Sequence, residues 1–143
     1  MHRVLAPGGQ VVISTWRGID QNPFFAAFER AVRHRFDSPA IELPFSMGNP
    51  TVVVTLLQEA GFTEVSVELV AIEADYTQPD RFVDLQVAAS AAAIPALREL
   101  DAADLATLIA AIREDMADPV REATIGDRLR FPMQGIVARG VRD

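Results

Sequence analysis

The stretch Arg3-Val4-Leu5-Ala6-Pro7-Gly8-Gly9-Gln10-Val11-Val12-Ile13-Ser14-Thr15-Trp16 decides the fold. It reads as the last turn of a helix, a tight glycine turn and a buried strand. Pro7 cannot continue a helix, and the glycines that follow tolerate positive φ. Val11, Val12 and Ile13 form a short β-branched run, the signature of a strand covered on both faces. A helix that feeds a central strand through a short turn is half of a βαβ unit. The other half would precede Met1, so the chain is expected to begin in the middle of a fold.

Working outward, Asn22-Pro23 opens a helix, with Asn22 as cap and Pro23 at the first helical position. Phe25, Phe28, Val32 and Phe36 form its apolar face, and Asp37-Ser38-Pro39 ends it. Residues 40–47 have no clean period and read as a packed loop. Asn49-Pro50 repeats the cap signal for a helix carrying Val53, Leu56, Leu57 and Ala60, with Gly61 as its stop. Residues 62–74 alternate: Val65, Val67, Leu69 and Ala71 point one way, Glu64, Ser66 and Glu68 the other. Thr77-Gln78-Pro79-Asp80 resembles a capping box ahead of Phe82, Leu85 and Ala89. Pro95 breaks the next segment. Asp101 caps a helix with Leu105, Leu108, Ile109, Ile112 and Met116 at helical spacing, and Asp118-Pro119 ends it. Residues 120–130 read as a polar connection, and Phe131–Arg139 as a final strand with Pro132 near its start. The order is β, α, α, β, α, α, β: an α/β chain forming a single domain over residues 1–143.

Composition excludes several function classes. Half of the 143 residues are hydrophobic and mean hydropathy is +0.16, as in a globular domain. A net charge of −7 and a pI of about 4.8 argue against nucleic acid or an anionic membrane as partner. Without cysteine there is no disulfide, thiolate nucleophile or cysteine-ligated metal. No apolar run has the length of a signal peptide or membrane span, so the expected compartment is the cytoplasm. His2 and His34 are the only histidines, and neither has a second histidine at ligand spacing; no metal site is assigned.

The glycine turn and the Val11-Val12-Ile13-Ser14 strand resemble the helix-to-fifth-strand signature of class I S-adenosylmethionine-dependent methyltransferases of the small-molecule type. Leu56-Leu57-Gln58-Glu59-Ala60-Gly61-Phe62-Thr63-Glu64-Val65 is similar to the family's turn into its sixth strand. Ile136-Val137-Ala138-Arg139-Gly140 is similar to its seventh. The resemblance implies a partial Rossmann-like methyltransferase sheet of family strands 5, 6 and 7, mixed parallel and antiparallel, with helices on its faces. It implies the C-terminal, substrate-side half of an enzyme acting on a small molecule, with S-adenosylmethionine as the family's cofactor. The cofactor loop and ribose-binding acid belong to the half that would precede Met1. No G-x-G-x-x-G occurs here, so this chain alone is expected to bind no cofactor and to be inactive, and no catalytic residue is assigned.

The candidate substrate contacts are Trp16, Arg17, Phe24, Phe45 and Met47. Trp16 and Arg17 end the opening strand, the functional edge of open α/β sheets. They read as a pocket wall, or as a core cap and a solvated charge. Phe24, Phe45 and Met47 read as an apolar pocket lining or as core. The acidic residues Asp101, Asp104, Glu114, Asp115 and Asp118 read as a cap and a solvated helix face. With one family neighbour gone, the edge of the opening strand, Gln10 to Ser14, invites pairing with a second copy, and a homodimer is expected. The alternatives to a truncated methyltransferase are a non-enzymatic oligomeric module and a small hydrophobic-ligand carrier.

Overall fold

A computed structural model describes residues 1–35, 39–91 and 94–143. Its strands are β1 (Gln10–Trp16), β2 (Phe62–Tyr76), β3 (Thr124–Ile125) and β4 (Arg128–Arg142). Its helices are α1 (Pro23–Arg33), α2 (Pro50–Glu59), α3 (Phe82–Ser90), α4 (Pro95–Glu99), α5 (Ala102–Asp115) and α6 (Ala117–Ala123). The sheet order is β1-β4-β2, with β3 against β4. Two compact units divide the chain: Met1–Asn22, Pro44–Ile72 and Met133–Asp143 form the first, Pro23–Leu43 and Glu73–Pro132 the second.

The α/β class holds, but the mixed sheet does not. β1 pairs antiparallel with β4, from Gln10 opposite Val141 to Trp16 opposite Gly135. β3 pairs antiparallel with β4 as well. In the first unit Phe62 lies against Gly140 and Val70 against Gly135, so β2 also runs opposite to β4. No parallel pair occurs among the described strands. The reason is connectivity: β4 is the neighbour of every other strand and runs against all of them.

In the first unit, the opening stretch builds a turn rather than a helix stop alone. His2–Val4 is a single 3₁₀ turn. Gly9 N–H then donates to Ala6 O at 2.8 Å, with Pro7 and Gly8 between them and Gly8 at φ 74°. Proline then a positive-φ glycine is the residue pattern of a type II turn. Arg142 N–H donates to Gly9 O at 2.8 Å and so aligns β1 with β4. The core here comprises Val11, Val53, Leu57, Phe62, Ile136 and Ala138, with Leu5, Ile13, Val65 and Val67 packed against it. Each fully buried aliphatic group contributes about 1.5–3 kcal/mol. α2 starts as its sequence requires: Asn49 Oδ1 accepts from Thr51 N–H at 2.9 Å and Pro50 sits in the first turn. It stops at Gly61, whose φ of 87° suits glycine.

The alternation expected along β2 holds only for its first part. Val65 and Val67 are half-buried, but Leu69 and Ala71 are exposed and Val70 is turned inward. Burial slips by one residue, as it does where an antiparallel strand carries an extra residue.

The second unit packs around rings. Phe24 stacks on Phe131 with centroids 3.9 Å apart, and Phe82 meets Phe24, Phe28 and Tyr76 edge-on. Edge-to-face and offset pairs each add about 0.5–1.5 kcal/mol beyond burial. Burial pushes the Tyr76 hydroxyl above its ordinary value, and Gln86 hydrogen-bonds it in the opposing sense. On α3 the buried residues are Phe82, Val83 and Val87; Leu85 and Ala89, expected on the apolar face, are exposed. The Thr77–Asp80 capping box is not formed: a 3₁₀ turn, Pro79–Arg81, leads into α3 with no side-chain cap. Asp101 does cap α5, accepting from Ala103 and Asp104 N–H at 2.9 Å each.

Asp118-Pro119 does not end the helical region. Both residues fall in the first turn of α6, where the missing proline N–H has no helical acceptor to lose. The polar connection resolves into α6 and the β3–β4 hairpin, with Gly126 at φ 64° at the first central position and Asp127 after it, the pattern of a type II′ turn. Phe36 and the Asp37-Ser38 stop lie outside the described residues; α1 is described to Arg33. No helix among the described residues is long and apolar enough to cross a membrane.

Arg128 Nε donates to Asp75 Oδ1 at 2.5 Å, and Arg130 Nε lies 3.3 Å from Oδ2. The Arg128 hydrogen bond, with the charge of both arginines, holds the Asp75 carboxyl below its ordinary value. A group with a lowered folded pKa stabilises the fold above its unfolded pKa and loses that contribution as pH falls through the folded value. Urea unfolding of wild type and Asp75→Asn should therefore separate at pH 7 and converge below about pH 4, with the gap shrinking in added salt.

Candidate functional site

The end of β1 is held by a side chain rather than by regular backbone pairing. Arg17 N–H donates to Gln134 O at 2.9 Å, continuing the β1–β4 register by one step. In an antiparallel ladder Gln134 N–H would return a bond to Arg17 O. Instead it donates to Asn22 Oδ1 at 2.8 Å, and Asn22 Nδ2 donates to Arg17 O at 3.1 Å. The Asn22 amide is thus inserted into the ladder like an extra peptide group. Its Nδ2 also reaches Gly18 O at 3.2 Å and Gln134 O at 3.4 Å. Asn22 is fully buried. Both ends of its amide are engaged here.

Closing this loop brings residues 17–21 against the turn that follows Pro44. Gly48 approaches so near that an added Cβ would lie 2.0 Å from Gly18 N and 2.4 Å from the Arg17 carbonyl carbon. Only glycine fits.

Two hollows flank the crossing of these segments. Each segment contributes residues to both hollows. Trp16 and Pro44 belong to an apolar hollow of about 410 Å³, with Val70, Ile72, Ser14 and Gly135. Arg17 and Phe45 belong to a polar one of about 480 Å³, with Asp20, Gln21, Ser46 and Gly48. Gly135 forms part of the first: a Cβ there would stand 3.2 Å from Val70 Cγ2 and 3.9 Å from the Trp16 ring.

Of the five sequence candidates, the structure places Trp16 in the apolar hollow and Arg17 and Phe45 in the polar one. Phe45 is buried. Phe24 belongs to the second unit, stacked in its ring cluster. Met47 is exposed and lines neither hollow. Asn22 and Gly48 were not legible as site residues. Asn22 resembles a helix cap, and its partner Gln134 is 112 residues away. Among the described residues, no group of three His, Asp or Glu could hold a metal ion.

No family model matches the chain, and no curated protein does. Among solved structures it is similar to a "putative methyltransferase" from Bacillus halodurans C-125, at 13% identity and a TM-score of 0.46. The alignment covers 99% of this chain and 59% of that one, so the chain spans less than two thirds of the structure it matches. A likeness so distant fixes neither family nor activity.

The inserted amide is open to direct test. Asn22→Ala leaves Gln134 N–H and Arg17 O buried without partners, at a cost of roughly 2–4 kcal/mol in urea unfolding. Gly48→Ala should lose at least as much, because backbone rather than a side chain must give way.

Proposed function

We propose that this chain is the substrate-side portion of an S-adenosylmethionine-dependent methyltransferase acting on a small molecule, with the Trp16 hollow as its acceptor pocket. The observation that supports this most directly is the apolar hollow at the C-terminal end of β1. An apolar hollow with few polar groups is the usual small-molecule site. The glycine turn and strand that resemble the methyltransferase signature lead directly into it. Methyl transfer needs the acceptor atom held in line with the sulfonium methyl, and positioning supplies most of the rate. Trp16 is suited to such positioning, because an indole face packs against a flat acceptor. The cofactor would be held by residues of the kind these 143 do not include, since no G-x-G-x-x-G occurs among them.

Trp16 is the only tryptophan, so its fluorescence reports the hollow without a label. Titration with phenol and 2-naphthol should shift its emission saturably, and Gly135→Ala should weaken the response. S-adenosylmethionine should give no calorimetric binding at micromolar concentration. Micromolar cofactor binding by this chain, or an emission change that never saturates, would overturn the reading.

A second reading, an oligomeric module, rests on the outer edge of β1. Gly9 and Arg17 bond toward β4, so ladder alternation turns the amides of Gln10, Val12, Ser14 and Trp16 outward. Val12 is 57% exposed on that strand. We propose a homodimer through Gln10–Ser14, two copies of β1 pairing edge to edge. Light scattering should return twice the 15.6 kDa chain mass, and Val12→Lys should return the monomer with its urea midpoint kept.

A further inference from the structure

We propose that the polar hollow at the end of β1 binds a small zwitterionic acid, its carboxylate on Arg17 and its ammonium group on Asp20. This site is separate from the Trp16 hollow and does not depend on the methyl-acceptor reading.

The case begins with the arginines. Every basic side chain except the two histidines is arginine: there are thirteen, and no lysine. Four of them, Arg17, Arg128, Arg130 and Arg142, are partly buried. Arg128 and Arg130 are taken up by Asp75. Arg142 Nη1 donates to Leu5 O. Arg17 is the one of the four whose side chain has no partner among the described residues, and its Nε is buried without an acceptor. A buried donor left unpaired costs about 1–3 kcal/mol, more for a charged group. The Nε itself is closed to solvent, as are those of Arg130 and Arg142, so a ligand's acceptor would be met by the other guanidinium donors of Arg17.

The hollow also fixes what the ligand carries. Asp20 lines it, hydrogen-bonded only by a neutral group, Gln21 Nε2 at 2.9 Å. No ion pair joins Asp20 to Arg17 or to any other cation among the described residues. Two opposite charges thus line one space of about 480 Å³ without pairing with each other. A planar guanidinium matches a carboxylate by two parallel hydrogen bonds. A dianion such as phosphate would meet the Asp20 carboxylate, whereas an ammonium group on the same ligand would be drawn to it. The chemistry selected is an amino acid or a close relative.

The backbone that presents Arg17 is fixed before any ligand arrives. Asn22 holds the Arg17 and Gly18 carbonyls, and Gly48 packs directly on the peptide between them. Little further ordering is needed on binding.

The test is a ¹H–¹⁵N NMR titration of the intact chain with glycine, β-alanine, 4-aminobutyrate, acetate and inorganic phosphate. At least one amino acid should give saturable shifts at the Gly18, Gln21 and Gly48 amides, tighter than acetate or phosphate. Arg17→Gln should weaken it by at least about tenfold, the loss expected for hydrogen bonds to a charged group. Asp20→Asn should weaken the amino acids while leaving acetate as tight or tighter. Arg17→Lys keeps the charge, loses the fork, and should fall between; should Arg17→Gln fail to give a folded spectrum, the Arg17→Lys and Asp20→Asn arms decide. Three outcomes would overturn the proposal: no saturable shift at those amides with any amino acid, affinity unchanged by these substitutions, or phosphate binding more tightly than every amino acid.

Discussion

One side-chain amide determines how β1 ends. Had Gln134 N–H bonded Arg17 O in the ordinary way, the ladder would have run on, and Arg17 would have been one more strand residue. Asn22 interposes its own amide between the two groups. The Arg17 N–H bond to Gln134 O is kept at 2.9 Å, while the return bond passes through the side-chain amide. Because Oδ1 faces an N–H and Nδ2 faces carbonyls, the arrangement needs both halves of the amide. Aspartate would repel the carbonyls, and leucine would leave Gln134 N–H and Arg17 O unpaired. The loop, its approach to Gly48 and both hollows follow from that substitution of a side chain for a peptide.

The loop is compact because its contacts are backbone to backbone. Gly48 touches Gly18 at a separation no Cβ allows. A main-chain contact of that kind has no rotamers to lose and little room to adjust, so it holds the Arg17–Gly18 peptide in place. Side chains rooted at Trp16, Arg17, Pro44 and Phe45 inherit that placement. One crossing of two segments thus borders an apolar hollow and a polar one.

Local rules were enough where the cause is local. The Pro7-Gly8-Gly9 turn, the full extent of β1, the Asn49 and Asp101 caps and the Gly61 stop all depend on residues within a few positions of one another. They failed where a distant group competes. Asn22 carries a cap residue's identity ahead of a proline, and nothing near it announces the further role that Gln134, 112 residues away, gives it. Pro119 has the character of a stop, yet a proline in a first turn breaks nothing, and α5 passes to α6 within two residues. The phase slip in β2 is similar: Leu69 and Val70 are both apolar, and only the pairing with β4 decides which of them is covered. Phe24 shows the same limit within one helix. Its spacing fits a core face and a pocket wall equally, and the ring of Phe131 settles the matter.

The charge balance gives the Arg17 hollow its weight. Twenty acidic residues face thirteen arginines. Arg33, Arg35, Arg113 and Arg121 all find one, even at partly or wholly exposed positions where such a pair is worth under about 1 kcal/mol. A half-buried arginine gains more from pairing than they do, because it has already lost part of its water. Arg17 shares its hollow with Asp20 and still does not take it. Holding apart two charges that would otherwise neutralise one another is what keeps a recognition site open.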